Sequence, residues 1–287
     1  MSRRPTPDGP IAPPSSGEVH LWLAQADPSR PGPHGAGRYA GWLSGDERER
    51  WLRFRFAHDR ERYLLARGLL RSVLSRYVPE RHESAWRFQL NDHGRPFIVD
   101  EQQPQGGAPL YFNLSHTRGL VVLAVACSQE VGVDVEPLER DGPHLKMADR
   151  FFAPSEADAL RALGGAPAHR DRFIELWTLK ESYIKARGMG LALPLDSFAF
   201  ELDTPGRIDF QTWSAAGDEP MGWRFALLEH GATHRVALAL RDQKAAPTEL
   251  TVRHGKFPAG APALPTASDR LSPTRCSPIR LSLLALA

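Results

Sequence analysis

The stretch VGVDVE at residues 131–136 decides the fold expected of this chain. Its valines alternate with Gly, Asp and Glu, which is the two-residue period of a β-strand. Such a strand buries the valines on one face and presents Asp134 and Glu136 together on the other. Two carboxylates about 7 Å apart repel each other in an enclosed site unless a cation compensates them, and hard oxygen ligands of this kind suit Mg²⁺. The alternative is a solvent-facing strand that carries two ordinary surface charges.

A helix predicted over residues 170–187 adds a third carboxylate, Glu181. With a helical rotation of about 100° per residue, its apolar arc consists of Leu176, Trp177, Leu179, Tyr183 and Ile184. Lys180 falls in the middle of that arc, where an ammonium group needs a partner or must reach out to water. Glu181 and Lys185 are neighbours on its flank. They belong either to a site or to an ordinary ion pair worth about 0.2–0.5 kcal/mol.

Polar side chains also cluster in the segment LYFNLSHTRG at residues 110–119, where a predicted strand ends. Turns at strand ends commonly carry ligand contacts, so Asn113, Ser115 and His116 are candidate binding residues. Alternatively, Asn113, Ser115 and Thr117 satisfy the backbone groups of the turn itself. The adjacent Ser115 and His116 do not indicate a hydrolase triad, because neighbouring residues rarely orient as nucleophile and base and no G-x-S-x-G sequence surrounds the serine.

Arginines are concentrated in residues 48–76. A helix is predicted over residues 59–77, and several of these arginines follow one flank of it. Arg50, before this helix, and Arg95, in a turn further along the chain, are candidates for bidentate phosphate contacts. The alternative for each of them is an ordinary side chain that faces water.

The composition bounds the class of protein. At 287 residues with 41% hydrophobic content, the chain can bury the core of one large domain or two small ones. No run approaches the roughly 18–20 apolar residues that span a bilayer, and no secretory signal is visible, so we expect a soluble cytoplasmic protein without membrane contact. Cys127 and Cys276 are the only cysteines, which argues against a disulfide framework. The net charge of +2 argues against a dedicated nucleic-acid binder.

Helical and strand-like segments follow the same order in two successive parts of the chain. This order predicts an α+β fold of two similar, pseudo-symmetric lobes, at residues 18–130 and 131–243, with a ligand cleft between them. The two ends, residues 1–17 and 244–287, are rich in Pro and Ser and show little apolar periodicity. Both ends are expected to be disordered, and the C-terminal one to be dispensable for catalysis.

Five short motifs occur in a fixed order along the chain. They are Gly94-Arg95-Pro96, Asn113 to His116, Gly132 to Glu136, Phe151 to Glu156 and Trp177 to Lys185. Their order and spacing resemble the surfactin-synthetase-activating type of 4′-phosphopantetheinyl transferase, over about residues 19–240. The resemblance implies that family's fold of two pseudo-symmetric lobes, carried within one monomer.

The resemblance also implies roles for individual residues. The residues that bind Mg²⁺ by match are Asp134, Glu136 and Glu181. The residues that contact coenzyme A by match are Arg50, Arg95, Pro96, Asn113, Ser115, His116 and Lys185. Arg95 stands where the family more often has Lys, which keeps the charge but changes the geometry of a phosphate contact. Glu181 is expected to act as the catalytic base, with Lys185 and His116 offsetting phosphate charge.

The activity that the resemblance implies is transfer of 4′-phosphopantetheine from coenzyme A to a serine of an acyl, peptidyl or aryl carrier protein domain, with release of 3′,5′-ADP. Two other classes use similar residues. A Mg²⁺-dependent nuclease or phosphatase also needs acids with basic neighbours, but it needs no acceptor protein. An RNA- or anion-binding module could use the arginine-rich helix, and it predicts binding that falls steeply with salt. Neither class accounts for the five ordered motifs.

Overall fold

The structure is a computed structural model that describes residues 10–25, 36–203, 207–213, 220–241, 250–256, 271–276 and 279–283. The elements before residue 130 are β1 (Glu18–Gln25), α1 (Gly45–Arg53), α2 (Ala57–Tyr77), β2 (Phe88–Leu90), β3 (Pro96–Ile98), β4 (Tyr111–Thr117) and β5 (Leu120–Ala126). Those that follow are β6 (Val131–Pro137), α3 (His144–Phe151), α4 (Pro154–Arg161), α5 (Ala166–Arg187), β7 (Phe198–Glu201), β8 (Asp209–Thr212), β9 (Trp223–His230), β10 (His234–Arg241), β11 (Leu250–Lys256), β12 (Leu271–Cys276) and β13 (Ile279–Leu283). None of the described helices is long and apolar enough to cross a membrane.

The ends of the helices follow from local sequence chemistry. At the start of α1, the Ser44 hydroxyl accepts a hydrogen bond from the backbone N–H of Glu47, whose carboxylate accepts one from the N–H of Ser44. This reciprocal capping box satisfies two N–H groups that the first helical turn leaves free. The long helix α5 ends at Gly188, which adopts a left-handed conformation with φ 65°. Glycine tolerates that conformation without a steric penalty, so the helix stops there.

Two sheets form the frame of the molecule. The first has the strand order β13-β11-β1-β5-β4, and the second has the order β12-β9-β10-β6. The helix α2 packs on the first sheet through an apolar cluster that includes Trp22, Leu70 and Phe112. The helix α5 packs on the second sheet through a cluster that includes Tyr183 and Phe225. Each lobe therefore has a long helix on a sheet, which confirms the α+β class and the two-lobe arrangement.

A third apolar cluster lies between the two sheets. It contains Val131, Val133 and Val135 of β6 together with apolar side chains of β1, β5, β9 and β10. The valines of the VGVDVE stretch thus point into the shared core, as the alternation predicts. The other face of β6 is turned toward α5, because a Cβ atom at Gly132 would overlap the carbonyl oxygen of Ser182 on that helix. Asp134 and Glu136 share this second face.

The two lobes meet where β4, at the edge of the first sheet, runs beside β6, at the edge of the second. Asn113 on β4 bridges them, because its side-chain oxygen accepts a hydrogen bond of 3.0 Å from the backbone N–H of Val133. Both residues are buried. This bridge satisfies a backbone donor on a strand edge that would otherwise be buried without a partner.

Disorder is expected over residues 244–287, but strands occupy the parts of this range that the structure describes, residues 250–256, 271–276 and 279–283; the rest of the range lies outside the described residues. The strand β11 pairs in parallel with β1 and with β13, and β12 pairs antiparallel with β9. Val252 of β11 is fully buried in the cluster between the sheets. These segments complete open sheet edges through backbone hydrogen bonds, so little apolar periodicity is needed to hold them. The lobe boundaries at residues 130 and 243 stay a prediction, although part of the C-terminal segment joins the first sheet.

The N-terminal segment also differs from the expectation where it is described. Within residues 10–17, the backbone N–H of Ile11 donates to the carbonyl oxygen of Arg76 at 3.0 Å. The hydroxyl of Ser15 donates to the Glu18 carboxylate at 2.7 Å. Residues 1–9 lie outside the described part of the chain.

Candidate functional site

A cleft of about 420 Å³ lies at the junction of the lobes, between β4, β6 and α5. It is lined by Leu114, Ser115, His116, Asp134, Val135, Glu136, Arg140, Trp177, Glu181 and Lys185. The close approach of α5 to β6 at Gly132 brings the helix side chains against the acidic face of the strand. All three candidate metal ligands therefore line the same cleft, together with Ser115, His116 and Lys185.

Asp134 lies at the floor of this cleft and is buried. Its Oδ1 atom accepts hydrogen bonds from Lys185 Nζ at 2.5 Å and from the Ser115 hydroxyl at 2.8 Å. Its Oδ2 atom is also buried, and no hydrogen-bond partner reaches it within the described residues. A buried carboxylate oxygen without a partner is costly, so this atom marks a place for a ligand.

Glu136 lies further along the same face of β6. Its Oε1 atom accepts hydrogen bonds from Arg140 Nη1 at 2.7 Å and from the Trp177 indole at 3.1 Å. The Arg140 guanidinium lies 5.1 Å from the centre of the Trp177 ring. Burial raises the pKa of Glu136, the charge of Asp134 raises it further, and Arg140 partly offsets both effects.

Glu181 faces the strand acids from α5. Burial raises the pKa of Glu181, and the negative charges of Asp134 and Glu136 add to this effect, against the opposing charges of Lys185 and Arg140. A carboxylate whose pKa is raised toward neutrality accepts a proton more readily. The three acids repel one another, and a bound cation would relieve that repulsion.

The donor set fits Mg²⁺ by its chemistry. Magnesium prefers carboxylate oxygens and completes its shell with water and phosphate, and Asp134 Oδ2 is an oxygen with no other partner in the described structure. The side chains do not stand in a finished coordination geometry, since no three His, Cys, Asp or Glu residues in the described ranges form a metal-holding group. Instead, Lys185 pairs with one oxygen of Asp134, and Arg140 pairs with one oxygen of Glu136.

His116 stands at the exposed rim of the cleft. Partial withdrawal from water lowers the pKa of His116, and the nearby positive charges of Arg62 and Lys185 lower it further, against smaller opposing effects. A negatively charged phosphate group beside the imidazole would favour its protonated form.

The other predicted coenzyme contacts do not line this cleft. Arg95 and Pro96 line a second cavity, of about 1530 Å³. Burial lowers the pKa of Arg95 to about 10, and Glu130 partly opposes that change. Arg50 is exposed, with its guanidinium 6.0 Å from the centre of the Tyr63 ring. The Asn113 side chain accepts the hydrogen bond from Val133 that joins β4 to β6. The roles of these four residues toward coenzyme A stay predictions.

Sequence reasoning missed Arg140 as a site residue and saw Trp177 only as part of an apolar arc. Arg140 follows the end of β6, where no strand or helix period relates it to Glu136. Arg62, whose charge reaches His116, lies on α2 and pairs with Asp59 at 2.6 Å. Among so many arginines in residues 48–76, no local signal distinguishes it.

Two family models match the chain in succession. The model described as "4'-phosphopantetheinyl transferase, N-terminal" matches residues 30–128, and that described as "4'-phosphopantetheinyl transferase superfamily" matches residues 130–239. With the two-lobe fold, these matches define a transferase. The chain belongs to the 4′-phosphopantetheinyl transferase superfamily.

Curated relatives agree with this assignment. The chain is 36% identical over 177 residues to 4'-phosphopantetheinyl transferase HetI of Nostoc sp., covering 62% of this chain and 71% of that protein. It is 36% identical over 174 residues to 4'-phosphopantetheinyl transferase Sfp of Bacillus subtilis, covering 61% and 73%. A phosphopantetheinyl transferase of Thraustochytrium sp. is 34% identical over 233 residues, covering 75% and 78%.

Proposed function

We propose that the chain transfers the 4′-phosphopantetheine group of coenzyme A to the serine hydroxyl of an acyl, peptidyl or aryl carrier protein domain, in a Mg²⁺-dependent reaction that releases 3′,5′-ADP. The observation that carries the proposal is the single cleft between β4, β6 and α5, where three acids face Lys185, Ser115 and His116. Family membership supports the same activity, because all the relatives reported above are named as phosphopantetheinyl transferases.

Asp134, Glu136 and Glu181 would hold the magnesium ion. When bound there, Mg²⁺ would offset part of the negative charge of the pyrophosphate and of the three acids. Asp134 supplies the buried oxygen that has no other partner in the described structure, and Glu136 is kept oriented by Arg140 and the Trp177 indole. These held orientations mean that little side-chain entropy is lost when the ligand arrives.

The transfer itself needs a base and fixed positive charge. The serine oxygen forms a bond to the β-phosphorus, the bond from that phosphorus to the oxygen of the leaving 3′,5′-ADP breaks, and the serine proton passes to Glu181. Glu181 is a candidate for this base because its carboxylate lines the same cleft as Asp134, Ser115 and Lys185. Lys185, 2.5 Å from Asp134 and 29% exposed, is placed to share its ammonium group with an incoming phosphate oxygen.

The chain is proposed to act as a monomer in the cytoplasm. One chain supplies β4 from its first lobe and β6 and α5 from its second, so both sides of the cleft are present without a partner. Size-exclusion chromatography with light scattering tests this: a monomeric mass at the concentration used for activity assays is expected, and an obligate dimer would contradict it.

The experiment that tests the function is one reaction of the purified chain with Mg²⁺, coenzyme A and an unmodified carrier protein. Mass spectrometry should show the addition of one phosphopantetheine group to the carrier. The matched control is the Glu181→Gln variant under the same conditions. Hydrolysis of coenzyme A without carrier modification would favour a phosphatase or nuclease, and salt-dependent binding without turnover would favour an anion-binding module.

A further inference from the structure

The turn between β2 and β3 docks against the end of α5. Within the turn, the Asn91 side-chain oxygen accepts hydrogen bonds from the backbone N–H groups of His93 and Arg95. Gly94 adopts φ 82°, which the tight turn requires. The Asn91 amide then donates to the carbonyl oxygen of Gly188, at the end of α5, at 2.8 Å. The turn is thus rigid in itself and fixed to the helix that carries Glu181 and Lys185.

Arg95 extends this contact to three elements of the site. Its Nη1 atom donates to the carbonyl oxygen of Ala186 on α5 at 2.6 Å. Its Nη2 atom lies 2.9 Å from the carbonyl oxygen of Val131 at the start of β6 and 3.5 Å from that of Phe112 on β4. The carbonyl oxygen of Gln129, in the loop before β6, is a further acceptor at 2.9 Å.

Three of the four acceptors lie close in sequence to a residue of the cleft. Ala186 directly follows Lys185, Val131 precedes Asp134 by three residues, and Phe112 precedes Ser115 by three. Three residues of a strand span about 10 Å. The guanidinium therefore lies at the opposite end of β4 and β6 from the cleft, where its Nη1 and Nη2 atoms donate to backbone oxygens.

The contacts need the shape of arginine. Its planar fork offers five N–H donors in fixed directions, whereas a lysine ammonium is a point charge with three. A positive charge beside the last carbonyl groups of α5 also complements the negative end of the helix dipole. An added Cβ atom at Gly188 would lie 3.0 Å from Arg95 Cδ, so the glycine leaves the space through which the side chain passes.

We infer that Arg95 is a positioning residue that fixes the positions of α5, β4 and β6 relative to one another, rather than a ligand of the coenzyme A phosphates. The inference rests on the proposed function, because its effect on turnover is exerted through Lys185, Asp134 and Ser115. It replaces the phosphate contact that the sequence resemblance implies for Arg95. The need for several backbone contacts also accounts for arginine where the family more often has lysine.

The test compares the full-length wild type with Arg95→Ala, Arg95→Lys and a control, Arg53→Ala. Arg53 pairs only with Glu49 among the ion pairs described, with its side chain 78% exposed. Two measurements are made: the kinetics of carrier modification, which give kcat and KM for coenzyme A, and hydrogen–deuterium exchange of the peptide spanning residues 181–188. The second measurement needs no turnover, so it stays informative if the proposed function fails.

Loss of a positioning contact should act on turnover. Arg95→Ala should lower kcat about tenfold or more while changing KM for coenzyme A by less than about threefold, with faster exchange over residues 181–188. Arg95→Lys should lie between it and the wild type in both measurements, and it carries the test if the alanine variant is insoluble. Arg53→Ala should match the wild type. A raised KM at unchanged kcat, or unchanged exchange in both Arg95 variants, would overturn the inference.

Discussion

Lys180 and Glu156 form an ion pair of 2.6 Å in which both side chains are almost completely buried. The lysine also donates to the carbonyl oxygens of Leu195 and Phe198, and the carboxylate accepts from the backbone N–H groups of Ala153 and Phe200. The pair therefore links α4, α5 and β7. Lys180 directly precedes Glu181 on α5. The pair's extra hydrogen bonds are what make a buried charge pair tolerable.

Breaking this pair should destabilise the fold. Lys180→Met leaves the Glu156 carboxylate buried without its cation, and we expect the free energy of unfolding to fall by about 3–5 kcal/mol. Urea denaturation followed by circular dichroism measures this. The double variant Lys180→Met, Glu156→Leu should recover part of the loss, because no unpaired charge remains. A loss in the single variant below about 1 kcal/mol, the scale of surface pairs, would contradict the expected role.

Removing the proposed base should stop transfer without unfolding the chain. Glu181→Gln keeps the shape of the side chain but loses its negative charge and its capacity to accept a proton. General base catalysis is worth about 10²–10⁴-fold, so kcat should fall by at least about a hundredfold. Carrier modification under saturating Mg²⁺ and coenzyme A is the measurement, with circular dichroism as the folding control. Near-normal transfer would remove Glu181 from both of its proposed roles.

The same variant should be more stable than the wild type when no metal is present. Because burial and neighbouring acids raise the pKa of Glu181, the folded state binds a proton more tightly than the unfolded state. The Glu181 carboxyl group therefore stabilises the folded state below its unfolded-state pKa of about 4.3. This stabilisation is lost as the pH rises through the pKa of Glu181 in the folded state. In EDTA, Glu181→Gln should therefore have a higher Tm than the wild type at pH 7 but not at pH 4. Equal melting temperatures at both pH values would contradict this.

Lys185→Ala should weaken the handling of coenzyme A. The variant loses the ammonium group that neutralises Asp134 at 2.5 Å and that is proposed to meet a phosphate oxygen. A charge-assisted hydrogen bond of this kind contributes about 1.5–3 kcal/mol, which corresponds to a rise in KM for coenzyme A of about tenfold or more. Lys146→Ala, on α3 outside the cleft, is the matched control, and a KM within twofold of the wild type in both variants would exclude the phosphate contact.

The C-terminal strands should matter for stability rather than for chemistry. Val252 of β11 is fully buried between the sheets. Val252→Ala removes two methyl groups from that core and should lower the free energy of unfolding by about 1–3 kcal/mol, with kcat unchanged. Denaturant unfolding and carrier modification measure the two effects. A variant as stable as the wild type would show that β11 does not stabilise the fold, as expected if the segment after residue 243 is a dispensable tail.

Local periodicity predicted the elements that carry the site. The alternation in VGVDVE placed Asp134 and Glu136 on one face of a strand, and the helical arc predicted for residues 170–187 agrees with α5 at Ala166–Arg187. Lys180, which the arc placed among apolar side chains, does find a buried partner. These features depend on residues near one another in sequence, so their pattern is visible in the chain itself.

Contacts between distant segments could not be predicted in the same way. The strands β11, β12 and β13 are held at sheet edges by backbone groups, which every residue but proline supplies equally as donors and acceptors. Arg140 reaches Glu136 only because the chain turns after β6. Arg95 contacts carbonyl oxygens that belong to three elements far from it in sequence, so its motif revealed the charge but not the acceptors.

The contact of Gly132 with α5 has a consequence for how this chain can vary. Any side chain at that position, even a methyl group, would strike backbone atoms of Ser182 and Ala186, which cannot rotate aside as a side chain can. The helix would have to lift away as a unit and would carry Glu181 and Lys185 with it. The distance between Glu181 and the two acids of β6 therefore depends on the absence of a side chain at residue 132. A substitution there would alter metal and coenzyme binding together, although every proposed ligand residue would still be present in the sequence.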